Sequence, residues 1–370
     1  MKTRAAVIVE PGKPFEIEEL DLDGPRDGEV LIRYTHAGLC HSDLHVMNGD
    51  FTARLPMVGG HEGAGIIEEI GPGVTRVKAG DHVVCSFIPN CGTCRWCATG
   101  QQAICDWGAT ILEGYLPGER FPLTGPRGDY GAMCTIGTFS QYGTVHQNSV
   151  VKVDDDLPLD KAVLVGCGVT TGWASAVYAA DVQPGETVLI YGIGGIGINA
   201  VQGAAYAGAA NVIAVDPLEN KRAKAMELGA THSASNNEQA HQIAQDLTRG
   251  VGADKAIITV GVVKEPEITA AFNSIRKGGT VLITGMGQLT ELTIQLPSTI
   301  MALFKKTVKG TLFGDANPTY DIPKILGLYR SGAVKLDELI TRTYTLDEVN
   351  QGYEDLEAGK NIRGVMVLDH

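Results

Sequence analysis

The stretch TVLIYGIGGIGINAVQGAAYAGAANVIAVD, residues 187–216, decides the fold. The apolar run TVLIY enters Gly192-Ile193-Gly194-Gly195-Ile196-Gly197, a helical run of small residues follows, and a second apolar run ends in Asp216. Strand, glycine turn, helix and strand in that order predict one winding of a parallel sheet covered on both faces. The glycines have separate tasks: a tight turn, close approach of backbone to a pyrophosphate, and close packing of helix on strand, with the helix N-terminus facing the phosphates. A glycine-rich turn without a ligand is the plain alternative, and Asp216 argues against it. It lies 19 residues after Gly197, where a carboxylate can accept from both ribose hydroxyls and repel a 2′-phosphate. NAD is therefore expected rather than NADP. Lys221 and Arg222 are either solvated helix charges or contacts to the adenosine end.

Outward from this stretch the alternation continues through KAIITV, EPEITAAFNSIRKG and TVLITG, while the chain up to about residue 165 reads as short β-like runs such as EVLIRYTHAGL, GAGIIEEIG and DHVVCSF, broken by Gly and Pro. The expectation is an α/β protein: a doubly wound parallel sheet over 170–311, and a β-rich domain over 1–169 completed by 312–370. At 370 residues the chain can bury a core in each domain without a disulfide framework. A formal charge of −13 disfavours nucleic acid and anionic membranes, leaving a small molecule as partner. The start, MKTRAAVIVEPGKPFEIEEL, lacks the apolar run of a signal peptide, so a cytoplasmic location with reduced thiols is expected.

Half of the eight cysteines fall in CGTCRWCATGQQAIC. Cys91, Cys94, Cys97 and Cys105, set among loop formers, can close a tetrahedron around zinc with no open position, which stabilises and does not catalyse. An iron–sulfur cluster could use the same four thiolates, and disulfides are disfavoured in a reducing compartment. A second constellation is more scattered: Cys40 in GLCHSDLH, His61 and Glu62 in GGHEGAG, and Cys167 in GCGVTTG. Two thiolates and one imidazole leave a fourth position free, as a catalytic zinc requires. Singly, each residue reads equally as core or surface. Cys85 and Cys134 are taken as structural thiols; His36, His82, His146, His232 and His241 lack a ligand context.

Together these stretches resemble the zinc-dependent medium-chain alcohol dehydrogenases along essentially the whole chain. GHEGAG at 60–65 is supported in order by CHSDLH at 40–45, the lobe at 91–105, GTFSQY at 137–142, GCGVTTG at 166–172, GIGGIG at 192–197 with Asp216, KGTLFG at 309–314 and GKNIRG at 359–364. The resemblance implies a Rossmann domain with a GroES-like catalytic domain, NAD, and one catalytic and one structural zinc. It implies that Cys40, His61 and Cys167 hold the catalytic zinc with Glu62 just behind, and that Asp43 orients His61. Ser42 would touch the substrate oxygen, and His45 would end a proton relay, unless it is a surface histidine. Thr171 would support the nicotinamide, Ile196 its ring face and Lys221 the adenosine ribose. Arg363 would reach the pyrophosphate, and His41 stands where relatives place an arginine for it. Phe51, Phe87 and Leu312 would line an apolar pocket for a primary aliphatic or aromatic alcohol, oxidised to aldehyde or formed in reverse. Phe51 stands where the glutathione-dependent class needs an acid, although another thiol adduct stays open because Arg120 and Arg127 in 106–136 can clasp an anion or decorate the surface. The segment also resembles bacterial members that keep the cofactor tightly bound and reoxidise it with an external acceptor. A noncatalytic zinc- and nucleotide-binding subunit is the reading from another class. A homo-oligomer, dimer or tetramer, is expected, with TVLITG and the residues after it as the joining edge.

Overall fold

A computed structural model describes residues 1–287 and 293–370. These divide into two compact units: Met1–Cys167 with Asn317–Gly332 and Leu336–His370, and Gly168–Ala316 with Ala333–Lys335.

In the first unit, strands Lys2–Ile8, Glu16–Leu22, Leu123–Gly125, Gly128–Ala132 and Met57–Val58 close a barrel. Its centre is Ala5, Val7, Leu20, Leu22, Val58, Leu123, Tyr130 and Ala132, drawn from alternate positions because successive side chains on a strand face opposite ways. Two of these strands come from 106–136, so this segment is part of the barrel wall. A second sheet is built around the long strand Glu29–Gly38, which pairs with Gly63–Ile70, Tyr142–His146 and the C-terminal strand Arg363–Val367. The last pairing matches Val365 with Gly38 and Met366 with Ala37, bringing the tail beside the turn that leads to Cys40.

The second unit holds a parallel sheet, ordered among the described residues His232–Ala234, Asn211–Val215, Thr187–Tyr191, Ala253–Ile258, Ile275–Ile283 and Thr307–Gly310. Thr187–Tyr191 is buried at every position, as helices on both faces require. The order reverses between it and Ala253–Ile258, and ligands of such sheets bind outside the carboxyl ends of the strands at this point. One expectation is corrected here. The strand containing TVLITG is not an edge, since Ile275–Ile283 pairs on both sides; among the described residues the edge is Thr307–Gly310, whose side chains are largely exposed. The residues following TVLITG include 288–292, which lie outside the described residues. Among the described residues no single helix is long and apolar enough to cross a membrane.

Candidate active site

Cys40 caps the helix His41–Asn48 from an extended backbone, and the cap is reciprocal: the Asp43 Oδ2 atom accepts the Cys40 amide at 3.3 Å. The other Asp43 oxygen accepts from the Gly60 amide at 3.2 Å and from His61 Nδ1 at 2.9 Å. Asp43 is completely buried, so a helix cap also positions an imidazole from a distant turn. That turn depends on Gly60, with φ +85, where a Cβ would lie 2.3 Å from the Phe139 ring and 2.5 Å from Thr138 Oγ1. With Nδ1 donating to the carboxylate, Nε2 is the lone-pair nitrogen, a tautomer assigned from the hydrogen bonds. This Nε2 is buried without a partner.

The missing partner is indicated by what surrounds it. Donor atoms of Cys40, His61, Glu62 and Cys167 all lie within 4.8 Å of one another, and all four residues are buried. Cys167 follows the tight turn Val163–Gly166, and Gly166 allows this turn to press on the Cys85 carbonyl, which a Cβ would meet at 2.5 Å. The hydrogen bond between the two thiols holds Cys40 well below the usual thiol range and drives Cys167 well above it. Without a metal, burial pulls His61 down but the Asp43 and Cys40 charges outweigh it and hold the imidazole well above its ordinary value, so a bound cation would take the place of the proton on Nε2. Burial pushes Glu62 up to about 7 against the pull of Arg363. Two soft thiolates and an imidazole with a free lone pair suit zinc.

Ser42 is half-buried, its Oγ 3.7 Å from the Cys40 sulfur. His45 is not a surface histidine: it is 3% exposed, and its Nδ1 lies 2.8 Å from Asp50 Oδ2. The sequence reading missed Asp50. Gly49, a left-handed helix end, was the available signal, since it turns the chain so that the Asp50 amide bonds back to the His45 carbonyl. Phe51 tilts over the His45 ring at 5.2 Å and Phe87 sets its ring edgewise to His61 at 5.9 Å. Leu312 belongs to the second unit and is 38% exposed, and His41 is exposed. Arg363, assigned to the pyrophosphate from the resemblance, is 3% exposed and donates from Nη2 to the Glu62 carboxylate. Glu62 is thus paired with a guanidinium across the end of the strand Glu29–Gly38, whose two neighbours begin at Gly63 and Arg363; two opposite buried charges are costly apart. Arg120 and Arg127, left open as an anion clasp or as surface decoration, do neither alone. Arg120 binds Glu29 at 2.6 Å and Arg127 binds Glu16 at 2.8 Å and Glu18, so both guanidinia pin the 106–136 segment to the first strands.

In the second unit Gly192 has φ +87 and Gly197 allows its helix to touch the preceding turn, since a Cβ there would meet the Gly192 carbonyl at 1.9 Å. A Cβ on Gly194 would meet nothing within 4 Å, which is the open space a phosphate needs. Gly195 and Ile196 are half-buried in the same turn, and Thr171 is buried in the neighbouring helix, whose Gly172 lies against the Ile196 carbonyl. Asp216 closes the turn: its oxygens accept the amides of Ile193 and Leu218 at 2.8 and 2.9 Å, leaving lone pairs for further donors. Lys221 is half-buried on the next helix, and Arg222 donates to the carbonyls of Asp216 and Pro217.

Cys91, Cys94, Cys97 and Cys105 form a separate cluster whose sulfurs also lie within 4.8 Å of one another. Backbone amides of Thr93 and Cys94 point at Cys91 Sγ and that of Cys97 at Cys94 Sγ. Burial opposes ionisation of Cys91, yet those amide donors bring it down to about 6, whereas burial carries Cys105 up to about 12.

Residues 26–155 match the alcohol dehydrogenase GroES-like domain and residues 195–331 the zinc-binding dehydrogenase domain. The chain is 65% identical over 367 residues to an NDMA-dependent alcohol dehydrogenase of Amycolatopsis methanolica, with 99% of each chain covered. It belongs to the zinc-dependent medium-chain alcohol dehydrogenases. A putative alcohol dehydrogenase D of Mycobacterium tuberculosis is 58% identical, with 99% of this chain and 100% of the relative covered. Among solved structures, the benzyl alcohol dehydrogenase of Acinetobacter calcoaceticus superposes with a TM-score of 0.93 at 31% identity, with both chains fully covered. The protein is an enzyme of this family, with a small-molecule alcohol or aldehyde as substrate.

Proposed function

We propose that the protein oxidises a primary aliphatic or aromatic alcohol to the aldehyde, or runs the reverse, by hydride transfer to or from NAD, with Cys40, His61 and Cys167 holding the catalytic zinc. The observation that carries this reading is the buried, partnerless His61 Nε2 amid two thiols and a carboxyl. Zinc bound there would supply a Lewis acid that acidifies the alcohol, and NAD bound at Gly192–Gly197 would supply the hydride acceptor. The chain's own part is positioning and proton traffic. Asp43 fixes the imidazole, Ser42 Oγ accepts the alcohol proton as it gives up its own, and His45, paired with half-buried Asp50, releases a proton toward solvent. Phe51 and Phe87 offer apolar faces that exclude water. Asp216 receives the ribose, Lys221 and Thr171 the two ends of the dinucleotide, and Cys91, Cys94, Cys97 and Cys105 the structural zinc. The enzyme works in the cytoplasm as a homo-oligomer.

A second reading is favoured by the 65% identity to an NDMA-dependent relative. In this reading the dinucleotide stays bound and an external acceptor reoxidises it in place. Denaturing the purified enzyme and quantifying released NAD(H), together with an assay for alcohol-dependent NADH formation, separates the two. Free NADH without copurified cofactor supports exchange. Stoichiometric bound cofactor with turnover only when NDMA is added supports retention, and alcohol turnover with neither acceptor contradicts both.

A further inference from the structure

The four-cysteine lobe has a charge problem that its own residues do not solve. Four thiolates on one divalent zinc leave two net negative charges, and such charge in a partly buried site needs a nearby cation. The lobe's own Arg95 is exposed and lies over the Trp96 ring, 5.5 Å from its centroid. Arg76, from the loop before the strand His82–Cys85, is differently placed. Gln147 Oε1 accepts both the Thr75 and Arg76 amides, at 2.9 and 3.3 Å, which fixes the loop. The Arg76 Nη2 atom donates to the carbonyl of Asn90 at 2.8 Å, and Asn90 immediately precedes Cys91. The other terminal nitrogen, Nη1, is buried and makes no hydrogen bond. Burial pulls this guanidinium's pKa down, and the charges that pull it back up are those of Cys91, Cys97 and Cys105.

We propose that Arg76 is a positioning residue for the zinc site of the lobe: anchored on the Asn90 carbonyl, next to Cys91, its guanidinium, buried at Nη1, offsets the charge of the loaded cluster. A guanidinium suits this task because it stays ionised, sheds water more readily than an ammonium, and can hold a carbonyl with one nitrogen while offering another. The proposal rests on reading the lobe as a zinc site, and its test keeps the two claims apart.

Zinc per chain is counted first in the wild type and in Cys97→Ser; equal counts would overturn the zinc reading and this proposal with it. Zinc release to a colorimetric chelator is then followed in wild type, Arg76→Gln and Arg76→Lys. Arg76→Gln is expected to release the lobe's zinc roughly 10-fold faster, the lower end of what loss of an outer partner costs a metal site. The zinc at Cys40 should leave at the wild-type rate, and Arg76→Lys should fall between. Wild-type release from Arg76→Gln overturns the proposal, as does equally fast release from Arg76→Lys and Arg76→Gln, which would mean that only the bond to Asn90 mattered. If Arg76→Gln does not accumulate, Arg76→Lys is compared with Thr75→Ala on the same loop: faster release from Arg76→Lys alone supports a specific role for the guanidinium at the zinc site, and equal rates overturn it.

Discussion

Asp43 joins structure to chemistry more directly than any other single residue. It caps one helix, fastens the Gly60 turn and holds His61 in one tautomer, all without contact with solvent. Asp43→Asn keeps the shape but removes the charge, and should weaken zinc at Cys40, His61 and Cys167 by roughly 10- to 100-fold. The check is zinc per chain after dialysis against a weak chelator, which should fall while circular dichroism stays unchanged. His146, which belongs to neither metal-binding cluster, offers a pH test. Burial lowers its pKa from 6.5 to about 4, aided by Arg76, and its ring lies 4.7 Å from that of Trp107. Because the folded imidazole binds its proton less tightly than the unfolded one, stability is intact above pH 6.5 and falls as pH drops toward about 4. His146→Gln should flatten that part of a melting-temperature profile; identical slopes in both proteins would contradict it.

At the level of elements, the glycine turn gives a paired prediction. Gly197→Ala drives a methyl group into the Gly192 carbonyl and should lower the melting temperature, whereas Gly194→Ala meets open space and should leave folding intact while weakening dinucleotide binding. Calorimetry and cofactor titration read the two effects separately. Arg120 bears on a different element. It and Glu29 are both nearly buried, so Arg120→Ala leaves a buried carboxylate unpaired and should cost about 3 kcal/mol in chemical denaturation. The central strands of the second unit were legible because Thr187–Tyr191 and Asn211–Val215 are nearly continuous apolar runs, the first followed by the glycine turn; His232–Ala234 and Thr307–Gly310, short and polar, were not. The barrel strands in 106–136 were not, since Leu123–Gly125 and Gly128–Ala132 are too short to establish a period and are held by ion pairs to strands more than a hundred residues away. His45 with Asp50 and Glu62 with Arg363 were hidden for the same reason: one depends on a helix end, the other on the C-terminal strand returning beside Gly38.

Across the whole molecule, two sets of cysteines have different surroundings and should fail differently. In the lobe at 91–105 only Cys97, Ala103 and Cys105 are buried, so Cys97→Ser should lower stability first. Cys40→Ser, at a buried helix cap, should lose alcohol oxidation while keeping its fold; equal melting of both variants would contradict the division. The motifs that named the family lie at Cys40, His61, Cys91–Cys105 and Cys167, and only folding shows that they form two clusters. The most direct test of the central claim is anomalous diffraction from crystals of the enzyme at the zinc edge. The account predicts two peaks per chain, one among Cys91, Cys94, Cys97 and Cys105 and one bonded to Cys40, His61 Nε2 and Cys167. A peak at the lobe alone, in a preparation that oxidises alcohol, would contradict it.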